Sequence, residues 1–482
     1  MKKHGQAKLV LKKEEHGICR NKISSKALSV VERLQKFGYK AYLVGGCIRD
    51  LLSGKDPKDF DVSTNATPEQ VRRVFANSRI IGRRFKIVHV VFGKEIIEVT
   101  TFRGGNDSIK AKGKATTQNL RVSSGSGMLV RDNVYGKDIS EDASRRDFTI
   151  NAIYYDSQKE TLLDFHGGLY DLMSGVIDII GDPKTRYLED PVRIIRALRF
   201  CAKLGFKISN RTTAPIKEMS QNLKEVSNAR MFEEVNKLFL TGHGLESFKI
   251  LRKYHIFEVL FPSLEEFLDN QVFIDFVEYA LNSSDLRYKN DKRNTPHFLY
   301  AVLLWTRFQS LVYKLQQDND CSPVPLSTRK IVNIAFPKVI GEQTVMTAIP
   351  MMFTENIRSL WVNQFMLLNT EDDEIVRKIT ATTMFRAAYD FLSLRARFEP
   401  YLSSYVEFWK PFYDESARKA QEKREISAKS FKEHQKSKER QAKKELKHSN
   451  LAEQTFEKEQ SKEVNDRLAK ARAWRIAMHL DP

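Results

Sequence analysis

Asp59 and Asp61 flank a single phenylalanine. On a strand, residues i and i+2 point to one face, so the two carboxylates would stand side by side and repel. A divalent cation relieves that repulsion. Mg²⁺ suits such hard oxygen ligands, because it keeps other positions for water and substrate phosphates. Phe60 would point the opposite way and anchor the strand in a core. By itself an Asp-x-Asp is far more often an exposed turn than a metal site.

Leu43-Val44-Gly45-Gly46 ends an apolar run in two glycines. Just before a helix, such a turn lets backbone approach a phosphate and aims helix N–H groups at it. Arg49, one turn on, could reach the same triphosphate. A plain tight turn is the better explanation of the glycines taken alone. A glycine cradle, an arginine and an Asp-x-Asp within 17 residues are together the ingredients of two-metal nucleotidyl transfer. Glu98, in Ile96-Ile97-Glu98-Val99, could supply a third metal carboxylate from a neighbouring strand.

Arg145-Arg146-Asp147 precedes the apolar run Phe148-Thr149-Ile150-Asn151-Ala152. Two arginines entering an apolar strand are costly unless an anion meets them. The aspartate beside them could accept a hydrogen bond from a ribose hydroxyl. Farther on, Asp190, Arg193, Arg196 and Arg199 recur every three residues among Ile194, Ile195, Leu198 and Phe200. They form a stripe on a largely buried helix, and buried charge needs a partner. A nucleotide offers one: Asp190 can accept from an adenine amino group while an arginine donates to a ring nitrogen. A salt-bridged core helix is the plainer alternative. His89 reads as structural.

The elements that must position these groups follow from pattern. Ala41–Val44 is a short strand, with a helix starting at Ile48–Leu52. Phe60–Val62 is a strand. Thr67-Pro68 opens a helix through Phe75 as an N-cap and N1 pair. Ile87–Phe92 and Ile96–Phe102 form a hairpin about Gly93-Lys94. Phe148–Tyr155 and Thr161–Phe165 are further strands. Residues 104–127 carry almost nothing apolar and read as a mobile loop. Asp190-Pro191 starts a long helix through about Leu204, and 211–405 shows only helical periods, as in Met231, Val235, Leu238 and Leu245, Phe248, Leu251. Residues 415–470 are rich in Lys, Glu and Gln, a solvated helix or disordered tail.

The 482 residues carry 80 Lys+Arg against 61 Asp+Glu, a net charge of +19. The excess is uneven: +14 in residues 1–210, zero in 211–410, +5 in 411–450 and zero thereafter. Such a front end and tail point to a polyanion, nucleic acid first. With 41% hydrophobic residues most of the chain should fold. No apolar run approaches the ~18 residues that span a bilayer, and the basic N-terminus lacks the apolar stretch of a secretory signal. The four cysteines are isolated, which excludes a disulfide framework or a zinc ribbon and fits a reducing cytoplasm.

LVGGCIRD, KDFDVSTNATPEQV, EVTTFRGG, RRDFTINA and EDPVRIIRALRFCAKLGF together resemble the bacterial poly(A) polymerase and CCA-adding enzyme family, the class II nucleotidyltransferases. The motifs keep the family's order over about residues 40–265. IIGRRFKIVHVVFG (80–93) and MFRAAYDFLSLRARFE (384–399) resemble the polymerase branch. The resemblance implies an α+β fold: an N-terminal extension (1–40), a small mixed β-sheet nucleotidyltransferase head (41–183), an all-α neck (184–265), a helical body (266–410) and a charged tail (411–482). The tail is mixed Lys/Glu rather than arginine-rich as that branch expects. It further implies template-independent addition of AMP from ATP to RNA 3′ ends, with two Mg²⁺ ions held by Asp59, Asp61 and Glu98. Gly45, Gly46 and Arg49 would take the triphosphate, Arg146 and Asp147 the ribose and phosphate. Asp190 and Arg193 would read adenine, supported by Arg196 and Arg199. A monomer acting in bacterial cytoplasmic RNA decay, with the decay machinery as partner, completes the expectation. The rivals are a CCA-adding enzyme, a non-catalytic RNA-binding protein and a small-molecule nucleotidyltransferase.

Overall fold

In a computed structural model of the chain, residues 7–82, 86–104, 135–136, 138–320 and 327–423 are described, with 425–427 and 430. The expected mobile loop past Gly104, Arg83–Phe85, Cys321 and most of the Lys/Glu tail lie outside these residues.

The centre of the N-terminal half is an eight-stranded mixed sheet in the order β1-β8-β7-β2-β3-β6-β5-β4. Its strands are β1 (Leu9–Leu11), β2 (Ala41–Val44), β3 (Asp61–Thr64), β4 (Ser78–Ile81), β5 (Ile87–Phe92), β6 (Glu95–Thr101), β7 (Ile153–Asp156) and β8 (Thr161–Asp164). The β3–β6 pair is parallel and the rest are antiparallel. The expected hairpin is present. The expected strand at Phe60 begins one residue later, so Asp59 lies in the lead-in to β3.

The first forty residues are not a separate extension in their described part. β1 extends the sheet by pairing with β8. Helix α1 (Ser25–Lys36), capped by Ser24, buries Ala27, Val30, Val31 and Leu34 at helical spacing. Helix α2 (Gly46–Leu52) starts at the second glycine, earlier than expected. Helix α3 (Pro68–Val74) is closed by a Thr67/Gln70 capping box, so the Thr-Pro reading holds.

The run Phe148–Tyr155 is not one strand. Thr149–Asn151 is a 3-10 turn, and β7 begins only at Ile153. Tertiary partners override the apolar pattern: Thr149 N donates to Asp178 O, and its hydroxyl donates to Asp171 at 2.6 Å. Arg145 and Arg146 therefore end helix α4 (Ile139–Arg145) instead of entering a strand.

Beyond the sheet, α5 (Pro183–Glu189) and α6 (Val192–Leu204) are broken at Asp190-Pro191, where Asp190 is extended. Its Oδ1 accepts from Val192 N, but the helix starts one residue later than the pattern placed it, with Pro191 at the N-cap. Gly205, at φ 71°, ends α6 where the pattern placed the stop. Two short strands the pattern did not show, β9 (Val176–Ile177) before α5 and β10 (Lys207–Ile208) after α6, pair in parallel. From Asn210 on, the described residues form only helices, among them α7 (Asn228–Phe239), α8 (Gly244–Lys253) and α9 (Gln271–Lys289). The chain makes two compact units: the described residues up to Phe365 with Arg397–Glu399, and Met366–Ala396 with those from Pro400. The sheet and helices α5–α9 thus share one unit.

Candidate active site

Strand register sets the geometry. Val44 pairs with Asp61, Asp61 with Glu98, and Glu98 with His89. Residues in one cross-strand row share a face, so Asp61, Glu98 and His89 stand in line at one end of the sheet. His89 Nε2 lies 3.4 Å from Glu98 Oε1. Asp59 is exposed, Phe60 is buried as its position predicts, and Asp61 is intermediate. Burial first, and then the Glu98 charge, push the Asp61 carboxyl up to about 6, against the pull of Arg146; Asp59 adds to the rise.

Gly45 closes the other side of Asp61. Its φ is 86°, a conformation that disfavours any side chain. A Cβ there would meet Asp61 Oδ2 at 3.3 Å and an Arg146 nitrogen at 3.7 Å. Backbone, Asp61 and Arg146 therefore converge. Arg146 is held by Tyr154 (Nε to the hydroxyl, 2.9 Å) and Asp142 (3.4 Å). Asp142 is 4% exposed and also accepts from Ser63 at 2.9 Å, Tyr154 at 2.7 Å and Arg103 N at 3.1 Å. It is the buried hub that fixes Arg146, and no spacing in the sequence marked it.

Arg49 is 3% exposed. It donates to Asp50 and, at 2.7 Å, to Asn151, and lies over the Phe200 ring. It is thus a guanidinium fastened beside the glycine turn, with one nitrogen 3.5 Å from where a Cβ on Gly46 would lie. Asp147 also differs from expectation. Arg193 Nε lies 2.9 Å from one of its oxygens and Arg196 Nε 2.8 Å from the other. Burial alone would raise its carboxyl, but these two arginines outweigh it and hold it far below the usual carboxylate range. Asp147 positions two arginines, and each of its oxygens keeps a lone pair for a further donor.

The stripe on α6 is real and engaged. Arg193 also donates to Glu189 at 2.9 Å and to Arg186 O at 2.7 Å. Arg186 in turn bonds Glu189 and the carbonyls of Arg145 and Arg146. Asp190 receives both terminal nitrogens of Arg230, at 2.8 and 2.7 Å. Arg199 lies over Phe200, and its buried Nε has no hydrogen-bond acceptor among the described residues. Arg186, Glu189 and Arg230 have no role that their spacing in the sequence suggests. Glu189 adjoins the stripe, so a count of its buried cations could have found it. Arg230 is 40 residues from Asp190 and has no sequence signal.

Among the described residues no group of three or more His, Cys, Asp or Glu side chains is gathered tightly enough to hold a metal ion. The donor chemistry nevertheless fits a divalent cation: adjacent carboxylate oxygens whose mutual repulsion a cation would relieve.

Three family models match in order: the poly A polymerase head domain at residues 41–178, the probable RNA and SrmB-binding site of polymerase A at 205–268, and the polymerase A arginine-rich C-terminus at 326–445. The last matches despite the Lys/Glu composition of the tail. A solved tRNA-processing enzyme in an apo form shares the fold, at a TM-score of 0.51 and 22% identity over 81% of this chain and 91% of its own. Fold and matches together define a nucleotidyltransferase.

The chain is 43% identical to poly(A) polymerase I of Escherichia coli O6:H1, over 84% of this chain and 85% of that one. It is 40% identical to the Haemophilus influenzae poly(A) polymerase I, over 81% and 85%. A Lactobacillus helveticus CCA-adding enzyme is more distant, at 34% over 62% and 65%. The chain belongs to the poly(A) polymerase I family and is a polynucleotide adenylyltransferase.

Proposed function

We propose that the protein transfers AMP from ATP to RNA 3′ ends without a template and releases pyrophosphate. The observation that carries the site assignment is the convergence of Gly45, Asp61 and Arg146, with Glu98 beside Asp61 in register. Asp59, Asp61 and Glu98 would hold divalent cation, two Mg²⁺ ions in the full reading. Bound there, the metal supplies Lewis-acid polarisation of the α-phosphate and an activated attacking hydroxyl.

The chain's own residues do the rest. The Gly45-Gly46 backbone admits the triphosphate without side-chain obstruction. Arg146, braced by Tyr154 and Asp142, faces the same point with a positive charge. Arg193 and Arg196, spread by Asp147, and Arg199 beyond them line the helix where the base and ribose would lie. Asp190, oriented by Arg230, keeps acceptor capacity for an amino group. Uracil or guanine would bring a carbonyl oxygen against the Asp190 acceptor, which is how protein alone can select an amino-bearing base; the size of the purine then separates adenine from cytosine. RNA is held mainly through phosphate, so binding falls with salt. A division into head, neck, body and tail, with the described part of the first forty residues joined to the head, a role in RNA decay and a cytoplasmic setting belong to this reading. Cys19, Cys47 and Cys201 are free thiols, in keeping with a reducing compartment.

The test is extension of a labelled single-stranded RNA with Mg²⁺ and ATP alone, then with CTP and ATP, beside a tRNA lacking its CCA end. Long ladders from ATP alone are expected. CTP-dependent addition of a few nucleotides to tRNA only would place the protein with CCA-adding enzymes; no extension of either substrate would remove the catalytic reading.

A further inference from the structure

Asp59 is an exposed carboxylate with little backbone structure to hold it. Pairing of β3 with β2 starts only at Asp61, opposite Val44. On the other side, the last turn is closed by Lys55 N, which donates to Asp50 O at 2.8 Å. Between these points, residues 56–60 make no backbone hydrogen bond to any described residue. Their placement therefore falls to side chains. Phe60 is buried and fastens one end. Asp56 lies 3.7 Å from the Lys22 ammonium, but its side chain is 87% exposed, so that pair contributes little.

Lys58 makes the other tie, to a residue 230 positions along the chain. Its ammonium donates to the Tyr288 hydroxyl at 3.2 Å and lies 4.9 Å from the centre of that ring. A hydrogen bond and a cation–π contact made by one group fix its direction as well as its distance. Tyr288 is itself held. Asp285, one turn earlier on α9, is buried and accepts from Gly244 N at 2.7 Å and Leu245 N at 3.0 Å, at the start of α8. The Tyr288 ring packs against Gly242, in the turn between α7 and α8. Gly242 has a φ of 85°, and a Cβ there would come within 2.5 Å of the ring. The support under Lys58 thus belongs to the helices and not to the sheet.

Asp59 therefore sits between two fastened neighbours, one in the core of the sheet and one on α9. We infer that Tyr288 is a positioning residue for Asp59: acting through Lys58, it keeps the carboxylate near Asp61, ready for a divalent cation. A loose segment would have to be ordered by each incoming cation, and that ordering would appear as weaker metal binding. The effect is modest in size, because one exposed cation–π contact and one hydrogen bond to a neutral hydroxyl supply it. This deepens the proposed function and rests on it for the metal role of Asp59.

The test measures metal binding apart from chemistry. Mn²⁺ is titrated into full-length protein without ATP or RNA, and free Mn²⁺ is read by electron paramagnetic resonance. Tyr288→Ala should weaken binding about threefold, and Tyr288→Phe, which keeps the ring face, by less. In RNA extension, Tyr288→Ala should raise the Mg²⁺ concentration for half-maximal rate by about the same factor, while kcat at saturating Mg²⁺ stays within about twofold of wild type. A general structural defect would instead lower kcat at every Mg²⁺ concentration, and that result would overturn the inference. Adding Lys58→Met to Tyr288→Ala separates positioning from obstruction. The double variant should bind Mn²⁺ no better than Tyr288→Ala in about 0.5 M KCl, where the change of charge is screened. Recovery of wild-type affinity in the double variant would overturn the inference, since Tyr288 would then only keep the ammonium off the carboxylates. So would unchanged Mn²⁺ affinity in Tyr288→Ala. Equal Mn²⁺ binding by wild type and Asp59→Asn would sink the metal role proposed for Asp59 instead, a result that the Tyr288 variants do not produce.

Discussion

Arg230 grips Asp190 through both terminal nitrogens, at 2.8 and 2.7 Å, across a gap of 40 residues. Such a fork fixes the carboxylate plane as well as its charge. The prediction concerns base choice. Arg230→Ala should lower the preference for ATP over UTP by about tenfold, because a loose acceptor discriminates less between an amino group and a carbonyl. Arg230→Lys should restore little of it, since an ammonium cannot form the fork. Single-nucleotide addition with each triphosphate measures this; full selectivity in Arg230→Ala would remove Asp190 from base reading.

Asp147 should behave as a structural anchor. Asp147→Asn leaves Arg193 and Arg196 without their shared counter-charge and should cost about 3 kcal/mol of stability. The sign with pH follows from its lowered folded-state pKa. The contribution is complete above the ordinary carboxylate value and is lost as pH falls toward and through the folded value. Acid unfolding of the variant should therefore show a smaller stability difference from the wild type at the lowest pH. Denaturant titration at several pH values checks it, and a neutral substitution at pH 7 would contradict the anchoring role.

Asp61 has the opposite sign. Its carboxyl is raised from 3.8 to about 6, chiefly by burial and then by Glu98, so the ionised form opposes folding in metal-free protein. The cost grows as pH rises from about 4 to 6 and is complete above that. Asp61→Asn should abolish extension while stabilising the metal-free protein at pH 7 by about 1–2 kcal/mol, a figure discounted for solvent screening. The gain should vanish below pH 4. Thermal melts in chelator across pH would show it. Loss of stability at pH 7 would mean that Asp61 is a structural partner.

Gly45→Ala joins two penalties, a positive φ and a Cβ at 3.3 Å from Asp61 Oδ2. It should cost about 1–2 kcal/mol of stability. It should also reduce kcat by at least about tenfold, through displacement of the carboxylate. Gly54→Ala has the same sign of φ and open space around its Cβ, so it should share the backbone cost alone. Equal kinetic effects of the two would argue against a special approach at Gly45.

Much of this protein is legible in its sequence, where local rules suffice. Thr67-Pro68, Gly205 and the alternation around Gly93-Lys94 fix their elements because capping, left-handed termination and strand pleating are local physics. The Asp59/Asp61 pair, the glycine turn and the α6 arginines are readable as charges and turns that ask for a ligand. Other features depend on distant partners. Phe148–Ala152 looks like a strand, but Asp171 and Asp178 bind Thr149 and turn it into a 3-10 segment. Arg49 looks available for phosphate, yet Asn151, 102 residues away, holds it. Asp142 and Arg230 carry no sequence signal, because their partners are brought to them only by packing. The order of amino acids dictates which chemical groups this protein possesses and the local turns that present them. Which charges neutralise one another is set only by the packed chain, since the energy of a buried charge depends on what the fold places beside it.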